Sequence, residues 1–565
     1  MGKQKSLPIG VSDFKKLIER GCRYVDKTLF IQELMSKGDD VFLIPRPRRF
    51  GKTLNLSMLH YFFEKTSTKH SYLFKGLKIW KDKKYRALQG QFPVIFITLK
   101  DTKQSSWKEM FSALCGLIAD EFRRHRYLFE SDILSAEEKE MYQKIVAEKA
   151  TDLLVERSLK LLMMWLYRFH QKRVILLIDE YDAPTHTAYL EGFYGEQIAF
   201  LRNWLSGALK DNPALERGVI TGILRVAKES IFSGMNNVKT VTILSDDFQD
   251  KFGLTEKEVK ELLKEYKLSN RWDGIRKWYN GYRMGSLDGI YNPWSVLNSI
   301  SQNGALFPYW VNTSDNLLIK QLMTKAPDDL KIDLELLMKG EVIDRTIDEA
   351  ITFTHLNDNS KAIWSLLLFS GYLSLAGEVA FGKPVKLRIP NAEVKQVYQS
   401  MILGWFETTI HELKYKSMLQ SLVTGDIKTF SSIFQEFLLV SFSSFDIPVG
   451  ESEKIYHAFV LGMLVGLKDR YEVKSNRESG HGRYDVMLIP KDKEDLGLVI
   501  EFKKISSFEK TSLKAAALSA LKQIKERKYD LELKSRKVKR ILHIAMAFKG
   551  KNVLIRASKG KAGRK

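Results

Sequence analysis

Residues 41–53 read VFLIPRPRRFGKT and run on into LNLSMLHYFF at 54–63. VFLIP is an apolar run of buried-strand type, and the segment after Thr53 has helical character. Between them stands Gly51-Lys52-Thr53, the second half of the phosphate loop G-x-x-x-x-G-K-[ST], in the strand–loop–helix context that the motif requires. Arg46 occupies the place of its first glycine. Amides around Phe50, Gly51, Lys52 and Thr53 open the helix that starts near Leu54, where N–H groups and the helix dipole favour a phosphate. Lys52 can reach the β/γ-phosphates and Thr53 can place its hydroxyl on Mg²⁺. Arg46, Arg48 and Arg49 add positive charge close by. The reading assigns Arg46, Arg49, Phe50, Gly51, Lys52, Thr53 and Leu54 to nucleotide binding.

Outward along the chain, RVILLIDEYDAP (173–184) is an apolar run ending in Asp179-Glu180. A carboxylate at the C-terminal edge of such a strand is where P-loop hydrolases hold Mg²⁺. Glu180 beside it can orient and deprotonate the attacking water. Alone, the segment reads equally well as a strand capped by two solvated acids before a turn at Pro184. The next run, GVITGILRVAKESIFSG (218–234), carries Thr221 and, four residues on, Arg225. These fit a γ-phosphate sensor and a transition-state cation. A polar strand end followed by a surface cation accounts for the same two residues.

Strand-type runs at 41–45, 92–99, 173–179, 218–224 and 240–244 alternate with helical patterns at 54–64, 107–124, 151–169 and 195–209. That alternation predicts a parallel sheet covered on both sides. From about 250 to 450 the patterns are mainly helical. They begin with FGLTEKEVKELLKEY and Thr255 as N-cap, followed by aromatic-rich turns. After about 452 the alternation returns. Strands are predicted at 471–475, 483–489 and 497–503, a long helix at 511–529, and another strand in VKRILHIAMAF.

This last region holds a second constellation. Strand period two puts Glu501 and Lys503 on one face and Phe502 on the other, with Asp485 on the preceding strand opposite them. The spacing is D-x₁₅-E-x-K. Two carboxylates suit a hard divalent ion such as Mg²⁺ or Mn²⁺, which would generate hydroxide and stabilise charge on a phosphodiester. Lys503 can orient the water or stabilise the leaving charge. The same pattern also arises on any exposed strand.

Charge points the same way. Lys plus Arg number 90 against 68 acids, a balance of +22. Such a surplus suits an anionic partner, nucleic acid above all. From residue 531 onward twelve Lys or Arg face Glu532 alone. This basic tail is expected either to track a phosphate backbone or to form a solvated end. Cys22 and Cys115 have no metal-ligand spacing, which argues against a disulfide scaffold or zinc site and for a reducing compartment. The uncharged run AIWSLLLFSGYLSLAG (362–377) is too short to span a bilayer and reads as a buried helix and turn. With no export signal at the start, no membrane association is expected and the cytoplasm is the default.

The segments VDKTLFI, RPRRFGKTL, LIDEYDAP, TGILRVAKESIFSG, FGLTEKEV, WYNGYR, YNPWSVLNSI and YWVNTSDN, in order along nearly the whole chain, resemble the bacterial predicted AAA-ATPase-like family. Its members typically carry a C-terminal PD-(D/E)XK nuclease-superfamily domain, whose pattern the D-x₁₅-E-x-K spacing also resembles. One departure is that Tyr484, not proline, precedes Asp485. The resemblance implies an α/β P-loop ATPase core at 1–250, a helical lid at 251–330, a helical connector at 331–450 and a restriction-endonuclease-like α/β domain at 451–565. It implies ATP and Mg²⁺ as cofactors, a homo-oligomer formed through the ATPase domain, and DNA as partner. By analogy with relatives, Val25–Thr28 and Pro293 fall near the base or in packing, Glu453 adds a carboxylate, and Gln523 and Tyr529 steady the second site or touch DNA. The expected function is ATP binding and hydrolysis, coupled to a Mg²⁺-dependent nuclease-like domain that acts on DNA. The alternatives are a nucleotide-controlled switch that binds nucleic acid without cutting it, and a scaffold recruiting proteins through 330–450.

Overall fold

VFLIP forms β1 (Val41–Pro45), with every residue buried. In the computed structural model it sits near the middle of a five-stranded sheet with β2 (Val94–Thr98), β3 (Val174–Asp179), β4 (Leu215–Gly222) and β5 (Val238–Thr240). The order is β2-β3-β4-β1-β5 and all pairs are parallel. Buried-face strands of this kind need apolar residues on both sides, which is what β1 and β3 carry along their whole length. The structure describes residues 4–224, 231–232, 235–310, 328–349, 360–379, 383–399, 412–443 and, with short gaps, 460–560.

The chain divides into two units, Met1–Leu322 with Gly340–Lys395, and Met323–Lys339 with Gln396–Lys565. In the first, helices Lys52–Phe63, Trp107–Arg124, Asp152–His170 and Tyr194–Leu209 connect the strands, close to the predicted bounds. The fifth strand differs. It covers Val238–Thr240 rather than 240–244. Val241 still donates its N–H to Leu43, but its carbonyl accepts from the Arg46 guanidinium at 2.6 Å, so the ladder ends there.

Beyond the sheet, Thr255 caps helix Glu256–Glu265 in a full capping box with Glu258. WYNGYR does not form a simple turn. It leads into a hairpin of β6 (Tyr282–Met284) and β7 (Leu287–Ile290). Asn292 then caps helix Pro293–Ser301 through Trp294 N and Ser295 N. Helix Ser360–Phe369 is buried from Ala362 on. A small antiparallel sheet follows the order β8-β10-β9, from β8 (Ile343–Arg345), β9 (Ser374–Leu375) and β10 (Val385–Arg388). The middle of the chain is therefore less purely helical than its pattern suggests.

The second unit is built on a sheet in the order β11-β12-β13-β14-β15: β11 (Tyr471–Ser479), β12 (Gly482–Pro490), β13 (Leu496–Lys504), β14 (Arg540–Lys549) and β15 (Asn552–Lys559). Only β13 and β14 run parallel, and helix Leu513–Glu526 lies between them in sequence. One face, with Leu488, Ile500, Phe502 and Met546, packs against helices Glu412–Thr424 and Ile427–Ser443. The other, with Met487, Val499 and Ala545, packs against Leu513–Glu526. This unit's core thus draws in helices that the sequence reading assigns to a connector ending at 450. Within the basic tail, Asn552–Lys559 is not a solvated end but forms the edge strand on β14. Among the described residues, no helix is long and apolar enough to cross a membrane.

Candidate functional site

Parallel sheets bind ligands outside the carboxyl ends of their strands. Here β4 lies between β1 and β3, so three strand ends converge. Thr221 is in register with Ile44, and Ile220 with Ile178. Asp179, fully buried, ends β3. Its Oδ2 accepts from Thr53 Oγ1 at 2.7 Å and its Oδ1 from Thr221 Oγ1 at 2.7 Å. The two hydroxyls come from either side of the carboxylate and fix its plane.

The loop after β1 turns through Arg49 at φ 67° and Gly51 at φ 85°, both left-handed. Gly51 takes that conformation without a Cβ penalty. Gly51 then caps helix Lys52–Phe63, whose first-turn N–H groups have no carbonyl one turn before them. Lys52 is 6 % exposed. Its Nζ donates to Arg46 O at 3.0 Å and Pro47 O at 3.2 Å, across the mouth of the loop. Burial lowers its proton affinity, and Glu180, Asp179 and Asp182 oppose that shift.

Around these residues lies a cleft of about 480 Å³, lined in part by Arg48, Arg49, Gly51, Lys52, Thr53, Leu54, Glu180 and Asp182. Glu180 has φ 51°, a left-handed conformation that non-glycine residues rarely adopt. Burial pushes its carboxyl above the usual range, with Asp179 and Asp182 adding to the shift and Lys52 opposing it. Strained backbone of this kind collects at functional sites.

One of the side chains predicted to bind nucleotide, that of Arg46, points elsewhere, whereas Phe50 is assigned through its amide and only its ring is accounted for by packing. Arg46 is fully buried, and its guanidinium donates to Pro45 O and Val241 O and lies 5.2 Å from the Phe252 ring. Burial pushes it down to about 9. It fastens the end of β1 to the chain after β5, so its contribution to the loop is its carbonyl, which accepts from Lys52. Phe50 packs edge-on against Tyr282 at 5.0 Å. Arg225 and Glu453 lie outside the described residues. Lys27 serves packing, with its Nζ bonded to Glu258 and Asp250 O.

Of the far wall of the cleft, the sequence reading names Pro293 alone, as near the base or in packing. Pro8, Ile9 and Val11 line it, as do Pro293, Trp294 and Leu297. The Arg49 guanidinium lies 4.4 Å from the centre of the Trp294 ring. No spacing rule signals the N-terminal residues. Pro293 is placed near the base or in packing only by analogy with relatives, and Trp294 and Leu297 are given no part in a site.

In the second unit, β12 and β13 pair from Leu488↔Leu498 to Val486↔Ile500. At the next step Asp485 Oδ2 accepts from Phe502 N at 2.7 Å. Alternation puts Asp485, Glu501 and Lys503 on the face covered by helix Leu513–Glu526. Glu501 is 3 % exposed, and its Oε1 accepts from Gln523 Nε2 at 2.5 Å. Lys503 Nζ is 3.8 Å from the same oxygen. Gln523 also donates to Tyr529 OH at 3.2 Å, and the Tyr529 ring lies edge-on to Tyr484 at 6.4 Å. Tyr484, standing where the pattern has proline, is therefore part of the packing behind Glu501. His543 pairs with Asp530 at 3.1 Å.

Residues 8–232 match the family model described as Predicted AAA-ATPase, and residues 451–558 match that of the PD-(D/E)XK nuclease superfamily. The chain carries an AAA-ATPase-like segment followed by a PD-(D/E)XK-like one. The AAA-ATPase-like match spans the loop of Lys52, the Asp179 strand and β4. The PD-(D/E)XK match spans Asp485, Glu501 and Lys503. The chain is also 26 % identical over 514 residues to "Uncharacterized protein in vnfD 5'region" from Azotobacter chroococcum mcd 1, covering 86 % of this chain and 87 % of that one.

Both donor sets suit a hard divalent ion. At the first, the Thr53 hydroxyl and the Asp179 carboxylate already meet at 2.7 Å. At the second, Asp485 and Glu501 offer carboxylate oxygens from adjacent strands.

Proposed function

We propose that this chain binds and hydrolyses ATP with Mg²⁺ in its first unit, and that its second unit is a Mg²⁺-dependent nuclease acting on DNA. The observation that carries the first half is Asp179 held between Thr53 and Thr221 beside Lys52. Lys52 supplies positive charge for the β/γ-phosphates, and the first-turn amides of helix Lys52–Phe63 supply donors. Thr53 and Asp179 would hold the Mg²⁺ ion, which when bound neutralises charge on the phosphate oxygens. Glu180, whose proton affinity is raised by burial, takes the proton of the attacking water.

In the second unit Asp485 and Glu501 would hold the ion, which when bound lowers the pKa of a water and offsets charge on the phosphodiester. Gln523 fixes the Glu501 carboxylate, and Lys503 offers its amine to the water or to the leaving oxygen. The net charge of +22 supports a polyanionic substrate. Nucleotide state in one unit would gate or assemble the other.

A second reading has its own support. Gln523 already occupies one Glu501 oxygen and Tyr484 replaces the proline of the pattern, which suits a domain that holds nucleic acid without cutting it. Purified protein incubated with linear, circular and single-stranded DNA, with and without ATP and Mg²⁺, separates the two. Mg²⁺-dependent cutting supports the nuclease. Retention on a filter without cutting supports the switch.

A further inference from the structure

The motif at the end of β3 contains a third acid that the hydrolysis scheme does not use. Asp182 is 6 % exposed and lies in helix-start geometry just past Glu180. Its Oδ2 accepts from Ile223 N and from Leu224 N, each at 2.9 Å. Both amides therefore meet one oxygen, which is the arrangement that a negative charge stabilises best. Burial pushes the carboxyl up, and the two amides and Lys52 oppose it.

The neighbouring residue grips the same turn. Tyr181 N donates to Thr221 O at 3.0 Å, and Tyr181 OH donates to Leu224 O at 2.8 Å. Gly222, between them, accepts from Arg46 N at 3.0 Å. A Cβ on Gly222 would stand 2.5 Å from Asp182 Oδ1 and 2.8 Å from the Tyr181 ring. The end of β4 and the turn after it are thus held from Tyr181 and Asp182, just past β3, by four hydrogen bonds and by a contact that only glycine permits. Without Asp182, one buried and one half-buried N–H group would lose their acceptor, and a buried group so left seeks another partner by moving. Thr221, one residue before Gly222, would move with them, and with it the bond that holds Asp179 Oδ1.

We propose that Asp182 is a positioning residue: it clamps the turn after β4 so that Thr221 keeps the Asp179 carboxylate in place. This rests on the reading of the first unit as an ATPase. The hydrogen bonds of Lys52 and Thr53 run to Arg46 O, Pro47 O and Asp179 rather than to Asp182, whose charge reaches Lys52 only through space, so nucleotide affinity should largely survive its loss while turnover falls.

The test is ATP hydrolysis by the full-length chain with Mg²⁺, alongside binding of a fluorescent ATP analogue. Asp182→Ala should lower kcat about 30-fold or more and leave analogue affinity within about threefold. Asp182→Asn, whose amide oxygen can accept from both N–H groups, should keep most of kcat. Tyr181→Phe removes the bond to Leu224 O, keeps both Asp182 bonds, and should lower kcat less than Asp182→Ala does. It stands in if the alanine variant does not fold. No hydrolysis by the wild type would overturn the ATPase reading and this assignment with it. Hydrolysis by the wild type with Asn and Ala equally impaired, or with kcat and affinity falling together, would overturn this assignment alone.

Discussion

Thr53 and Asp179 lie 126 residues apart in the chain and are joined by a 2.7 Å hydrogen bond from hydroxyl to carboxylate. The bond links the first turn of the helix that follows β1 to the end of β3, and β1 and β3 are not neighbours in the sheet. Thr53→Ala should therefore cut ATP hydrolysis on the order of 100-fold. Thr53→Ser, which keeps the hydroxyl, should stay within a few-fold. Steady-state phosphate release by the two variants checks this; equal losses would show that the hydroxyl is not what matters.

The Glu501 carboxylate is reached by Gln523 and Lys503 at one oxygen. Glu501→Gln and Lys503→Ala should each abolish Mg²⁺-dependent DNA cutting, while retention of DNA on a filter at low salt stays near wild type. Cutting that persists in both variants would point to another site or to a contaminating nuclease.

Glu393 is fully buried and accepts from Ser295 Oγ and from Trp310 N at 2.9 Å. Burial raises its carboxyl to about 7, and these hydrogen bonds only partly oppose it. The folded state therefore holds this proton at pH values where the unfolded chain, near 4.5, has released it. Stability from this group is complete below 4.5 and is lost as pH rises to 7, amounting to roughly 3 kcal/mol. The surrounding Tyr279, Tyr282 and Tyr309 are all raised and stay protonated throughout. Thermal melts of Glu393→Gln should lack this part of the downward slope between pH 5 and 7. An unchanged slope would remove Glu393 as its source.

In WYNGYR, Gly281 has φ 100°, and a Cβ there would stand 2.0 Å from Pro390 O. Gly281→Ala should destabilise the first unit by about 2 kcal/mol or more and lower its melting temperature, measured by calorimetry of the full chain. A wild-type melting profile would show that the close approach is relaxed in solution.

Much of the first unit was legible because its strands are buried on both faces and its loop chemistry is local. VFLIP, VILLID and GKT each fix their own structure within a few residues. The β15 edge strand was not legible, because NVLIRASK alternates weakly within a run of basic residues and its pairing depends on β14. Nor was the role of Arg46: its charge near a phosphate loop suggested a ligand, but its reach to Val241 O is a tertiary contact that no local pattern encodes. The placing of Asp485 opposite Glu501 and Lys503 follows from strand period two, but its bond to Phe502 N does not. Gln523 is placed beside the second site only by analogy with relatives, and its bond to Glu501 depends on how helix Leu513–Glu526 packs. The left-handed φ of Glu180 left no mark in the sequence.

The central claim is that Lys52 and Asp179 belong to one triphosphate-hydrolysing site. Phosphate release from ATP with Mg²⁺, compared between the wild type and Lys52→Ala, tests it most directly. Steady release by the wild type and none above background by the variant is the predicted result. Equal release by the two, or no release by a wild type that is folded, would contradict it.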